Sequence, residues 1–257
     1  MITLLLLKLL LVPALILGVT LAGRRFGPQV AGWLSAFPII SGPILLILAL
    51  EHGTAFAATA AQSTLLAVLA ILMFSLAYAW VAQRRGWADS LLIALGFYAL
   101  ALIGLRRVEM PLASAFATVI GALLLVPFAF PSVPRWIASR EPVKDHPALR
   151  MLVAVLLVLA VTFCAERLGP VWSGLLAMFP VISTVLVGFS HQQSGAGYAI
   201  RLLRGMVQGY YAFACFCAVL AMALPVLGIG QSFLAALVIA IPVHLLARKL
   251  IGGQAAS

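Results

Sequence analysis

One segment of this chain occurs twice, 142 residues apart and without a gap. Arg25, Gly27, Pro28, Gly32, Leu34, Phe37, Pro38, Ile40, Ser41 and Gly53 recur as Arg167, Gly169, Pro170, Gly174, Leu176, Phe179, Pro180, Ile182, Ser183 and Gly195. Shared leucines mean little in an apolar chain. Shared Arg, Gly, Pro and Ser at fixed spacing mean more, because each answers a specific backbone or polar need. The chain therefore reads as two related halves, which restricts it to duplicated architectures. In a membrane protein that points toward transport.

The membrane assignment comes from composition. Apolar residues make up 65% of the chain and charged residues 9%, against about 25% charged in a soluble domain. The net charge of +10 sits mostly between apolar runs, where it orients a membrane protein, so it is no nucleic-acid footprint. Membrane lipid is the expected surrounding, and a homo-oligomer is compatible with the sequence. Cys164, Cys215 and Cys217 lie inside apolar runs with no zinc-like spacing, so they read as small reduced core residues. The apolar start, Ile2 to Ala22, lacks a basic region before it and has a counterpart in Leu149 to Ala165. It reads as a retained helix and not as a leader.

About 20 residues cross the hydrocarbon as a helix. This places nine spans near 2–22, 29–50, 55–82, 88–105, 112–130, 149–165, 171–190, 196–222 and 227–247. Arg24, Arg25, Arg84, Arg85, Arg135, Arg140, Lys144, Arg150, Arg248 and Lys249 fall on one side, and Arg106, Arg107 and Arg167, with Lys8 nearby, on the other. That bias puts the N-terminus outside and the C-terminus in the cytoplasm of a bacterial inner membrane. Spans 1–4 match spans 6–9, and span 5 connects them. An offset of five spans inverts the second half, the arrangement of many secondary transporters. The expected fold is thus an all-α integral membrane protein: a first repeat over 1–105, a connecting helix and loop over 106–148, and a second repeat over 149–257.

The repeated motif has chemistry of its own. Pro38 and Pro180 fall near the middle of spans 2 and 7, where each removes a backbone hydrogen bond. In lipid the freed carbonyls need partners, and Ser41 and Ser183 follow three residues on. Gly42 and Pro43 strengthen the first break, whereas the second copy has Thr184 and Val185. Broken helices at matching positions mark transport sites, although a kink that only helps packing gives the same pattern, with Gly32 and Gly174 permitting close approach. Arg204 lies about 12 Å along span 8. It either snorkels to headgroups, as Arg201 can, or faces a cavity, in which case the solute is anionic. Gln62 and Gln208 lie in polar patches of spans 3 and 8, the latter with Tyr210 and Tyr211. Glu51 is a candidate for a coupling proton or an exposed helix-end carboxylate. His244 reads as interfacial. The expected substrate-binding set is Pro38, Ser41, Gln62, Pro180, Ser183, Thr184, Arg204 and Gln208. No metal cluster, phosphate loop or catalytic motif is present in the sequence, and no cofactor or enzymatic activity is expected.

The stretch from Gly169 to Ala247 resembles the GlpM-type family of small bacterial membrane proteins. The resemblance is carried by the segment from Ser173 to Pro180, the turn from Ser190 to Gly195, the Ala199, Ile200, Arg201 helix start and the Tyr210, Tyr211 region. Family members look like one copy of the repeat, so the resemblance implies a fused two-copy relative. The family's loose link to glycerol metabolism and polysaccharide production implies no substrate. The first half departs from the pattern with Thr59 where the second has Arg201. A small-solute transporter working by alternating access is the leading expectation, and a non-transporting scaffold or regulator the second. A polar midplane cavity between spans 2 and 7 separates the two.

Overall fold

The computed structural model describes residues 2–38, 41–132, 147–167 and 179–252. The start of the seventh expected span, with Gly169, Pro170 and Gly174, lies outside them, as do Arg135, Arg140 and Lys144. The described residues form ten α-helices and no strand: α1 (Ile2–Phe26), α2 (Pro28–Ser35), α3 (Ser41–His52), α4 (Thr54–Val81), α5 (Trp87–Leu105), α6 (Leu112–Ala129), α7 (Pro147–Arg167), α8 (Val181–Ser194), α9 (Ala196–Ala223) and α10 (Ile229–Gly252).

Five helices are long and apolar enough to cross a membrane: α4, α5, α6, α9 and the Ile229–Ala247 part of α10. The fold is that of a helical membrane protein. The second expected span is divided: α2 and α3 have 8 and 12 residues, about 12 and 18 Å, so neither crosses about 30 Å of hydrocarbon alone.

The helix ends follow from a few residues. Gly53 and Gly195 stand between α3 and α4 and between α8 and α9 with φ of 87° and 84° and ψ of 170° in both. A side chain is strained there, so glycine sets the corner. Their hydrogen bonds correspond. Gly53 N–H reaches the Ala49 carbonyl and Ala57 N–H the Gly53 carbonyl; Gly195 N–H reaches His191 and Ala199 N–H reaches Gly195. The two helices that follow, α4 and α9, each have 28 residues. Their ends, like the starts of α5 and α10, are 142 residues apart.

α4 and α9 form the centre. In their most apolar stretches 61% and 67% of residues are buried, against 22% in each of α5, α6 and α10. The outer helices turn Leu92, Leu100, Leu125, Phe128, Leu234 and Leu245 outward, where lipid would cover them. α4 and α9 pack on each other. α4 also carries α3 and α5, as α9 carries α8 and α10; α5 meets α8, α3 meets α10, and α1 lies against α7. α6 packs on both central helices.

Lipid supplies no hydrophobic drive between helices, so close packing must hold them. α2 crosses α9 with backbone against backbone. A Cβ on Gly32 would collide with the Leu202 carbonyl and stand 2.8 Å from Met206 N. One on Gly205 would collide with the Gln29 carbonyl, and one on Gly209 would stand 2.6 Å from the Trp33 carbonyl. The Gly205, Gly209 pair gives the spacing that lets membrane helices approach closely. Gly205→Ala should therefore lower stability by about 1–3 kcal/mol or more. Gly121→Ala, with no heavy atom within 4 Å of the added carbon, should be neutral or stabilising by up to about 1 kcal/mol. Thermal unfolding in detergent compares the two.

Candidate functional site

The first break lies between α2 and α3. Pro38 cannot donate to the carbonyl four residues back, that of Leu34, and Phe37 N–H occupies it instead at 3.3 Å. The Gly32 carbonyl, in the last turn of α2, accepts the Ser35 hydroxyl at 2.8 Å. The sequence expected Ser41 to help satisfy the freed carbonyl; Phe37 N–H meets it, and Ser35 bonds the neighbouring Gly32 carbonyl. Gly42 N–H then bonds the Pro38 carbonyl at 2.9 Å and starts α3.

Aromatic rings cover this break. The Trp33 indole stacks on His244 of α10 with centroids 3.9 Å apart and 12° between planes, and its Nε1–H donates to the His244 carbonyl at 3.1 Å. The Phe37 ring stands 4.9 Å from the same imidazole. His244 is 6% exposed, packed among protein side chains. α10 packs on α3 and carries the imidazole inward.

The second break precedes α8. Val181 N–H bonds the Phe179 carbonyl at 2.8 Å, and Thr184 N–H bonds the Pro180 carbonyl at 2.9 Å. Ser183, like Tyr210 of α9, is buried, and the two side chains share a hydrogen bond. Tyr98 of α5 meets the Phe179 ring edge to face at 6.1 Å. The last long helix of each half thus covers the break of the other half: α10 the first, α5 the second.

Both breaks pack against α9. Ala36 packs where Gly209 has no side chain, Gly42 faces the Phe216 ring at 3.5 Å from an added Cβ, and Ser183 bonds Tyr210. Gly209 and Tyr210 are the middle residues of the 28-residue α9. The structure therefore packs both breaks on the central half of α9, where Ser183, Thr184 and Gln208 are buried.

Three expected members lie elsewhere. Gln62 Nε2 donates to the Met110 carbonyl at 2.8 Å and ties α4 to the segment before α6. Arg204 donates from Nη2 to the Pro131 carbonyl at 2.8 Å and stands 5.8 Å from the Phe130 ring centroid, at the end of α6. It is five residues from Gly209, about 140° around the helix. Glu51 is exposed at the end of α3.

Two buried polar contacts were not expected. Tyr78 of α4 and His191 Nδ1 of α8 are 3.0 Å apart. Arg150 of α7 was counted among the loop cations, yet it is 5% exposed. Its Nη1 donates to Thr20 Oγ1 of α1 at 3.2 Å, its Nη2 to Gln193 Oε1 of α8 at 2.5 Å, and it lies 5.8 Å from the Phe189 ring centroid. The partners are 130 and 43 residues away in sequence, so no local pattern announces the site. Among the described residues no group of three His, Cys, Asp or Glu comes together. No protein-family model, curated protein or solved structure matches the chain.

The planar fork of Arg150 serves two acceptors at once, which an ammonium does not reproduce. Arg150→Lys and Gln193→Ala should each lower stability by about 1–3 kcal/mol. The double variant should lose less than the sum of the two, because they share one contact. A double-mutant cycle on thermal or denaturant unfolding measures this.

Proposed function

We propose that this protein moves a small solute across a bacterial inner membrane by alternating access between two inverted halves. The reading draws on helix ends that recur 142 residues apart, on contacts among α3, α4, α5 and α6 that recur among α8, α9, α10 and α6 when the halves are exchanged, and on two helix breaks that both pack against α9. Such halves give outward-open and inward-open states of similar energy. A fused two-copy relative of the GlpM-type proteins would have this layout.

One observation carries the proposal furthest. Arg150, Thr20 and Gln193 are joined in this structure. At the repeat distance their counterparts are Lys8, Thr162 and Glu51, again a cation, a threonine and an acceptor. Here Glu51 is exposed. In the exchanged state Lys8 and Glu51 take the contact that Arg150 and Gln193 make now, so that one side closes as the other opens. This makes Glu51 a gate residue, in place of the coupling-proton role that the sequence left open. The second reading, a non-transporting scaffold, draws on the ring cover over the first break, which leaves Trp33 and Phe37 tightly packed.

Proteoliposomes test the reading. With gradients of acetate, phosphate and glycerol, wild type should move at least one solute above protein-free liposomes. Glu51→Lys should abolish that flux, and Lys8→Glu combined with Glu51→Lys should restore it. Absence of flux in every gradient ends the transport reading, and failure of the charge swap to restore it ends the gate. Tags on the two termini should report opposite sides of the membrane, the N-terminus outside. Finding both on one side removes the inversion.

A further inference from the structure

The two breaks differ at several positions, and one of them leaves a buried hydroxyl. The residue after the serine is Gly42 in the first copy and Thr184 in the second. Gly42 has the Phe216 ring against it. Thr184 is 8% exposed, and its hydroxyl is buried with no hydrogen-bond partner. This is an exception within the fold. Thr59, Thr64 and Thr118 each donate to the carbonyl four residues back, at 3.2, 2.7 and 2.8 Å. For Thr184 that carbonyl belongs to Pro180 and is taken by its own N–H at 2.9 Å.

The hydroxyl sits in the first turn of α8, a helix of 14 residues that begins after the break and has no side-chain cap at Pro180. Side chains on a helix lean toward its N-terminus, so the Thr184 hydroxyl leans toward the break. First-turn N–H groups have no acceptor within the helix, and the helix dipole adds partial positive charge there. α8 and α9 contain no Asp or Glu, and the only acid in α5, Asp89, is exposed in its first turn. The Thr184 hydroxyl and the helix dipole at this end of α8 both favour negative charge, and α8, α9 and α5 present no carboxylate to it.

We infer that the second break holds a small monoanion, its oxygen accepting from the Thr184 hydroxyl and from first-turn N–H groups of α8 other than those of Val181 and Thr184, which bond the Phe179 and Pro180 carbonyls. The inference deepens the transport reading and rests on it for biological meaning, since it names the substrate class at one of the two breaks. The first break, ringed by Trp33, Phe37 and His244, has glycine in place of that hydroxyl.

The test measures equilibrium binding of radiolabelled acetate to the detergent-solubilised full chain, with acetamide as the neutral competitor of similar shape. Wild type should bind acetate and ignore acetamide. Thr184→Val should weaken acetate binding by about tenfold or more, the loss expected for one hydrogen bond to a charged group. Thr184→Ser should stay within about threefold of wild type. Without acetate, Thr184→Val should melt at or above the wild-type temperature, because it removes a buried unsatisfied hydroxyl. That result also shows the variant folds. Equal binding of acetamide, unchanged affinity in Thr184→Val, or no binding to wild type each overturns the inference. Binding intact with no flux in proteoliposomes removes the transport reading and leaves the site standing. Flux intact with Thr184→Val indistinguishable from wild type does the reverse.

Discussion

Where α2 crosses α9 no side chain separates the backbones. Gly32, Gly205 and Gly209 permit a contact that any Cβ would block. In a bilayer this matters more than in water, because lipid tails satisfy apolar side chains as well as a protein core does. Helices then stay together only where their surfaces fit. The crossing fixes the height of α2 on α9, and the height of α2 fixes where its chain breaks. Phe37 and Pro38 consequently reach the middle of a helix already covered by α4, α8 and α10. The rest of the site inherits its position from that contact.

A broken helix in lipid has polar groups to satisfy, and the two breaks meet that demand differently. At the first, Ser35 and Phe37 N–H occupy the carbonyls at the end of α2, and aromatic rings close over the gap. At the second, Ser183 turns to Tyr210, and the Thr184 hydroxyl is left over. Related segments have reached different states through a few substitutions, Gly42 against Thr184 above all.

The polar contacts that bind the helices are long-range. Arg150 links α1, α7 and α8, Tyr78 links α4 to His191, and Trp33 links α2 to α10. Sequence reading missed these because each partner is distant along the chain and each residue is unremarkable in its own segment. Arg150 resembled a loop cation because it opens α7. His244 gave no sign of its partners, because Trp33 and Phe37 lie more than 200 residues away. Tyr98 had no repeat signal, since its counterpart is Ala240. Arg204 was legible as a charge inside a span, but its direction depends on where α6 ends, and that direction took it to Pro131.

The sequence by itself determined that the chain is helical and apolar enough for a membrane, where its glycine corners fall, and that its helix breaks come as a pair. These are local properties: a run of apolar residues, a φ that only glycine adopts freely, a proline without an N–H. It could not determine which side chains meet at the breaks. Tertiary structure decided that His244 covers one break and Tyr98 the other, that Arg150 is buried, and that Thr184 has no partner. Those outcomes depend on how deeply helices approach and how they rotate about their axes. In lipid, that is set by the fit of whole surfaces, which no single segment encodes.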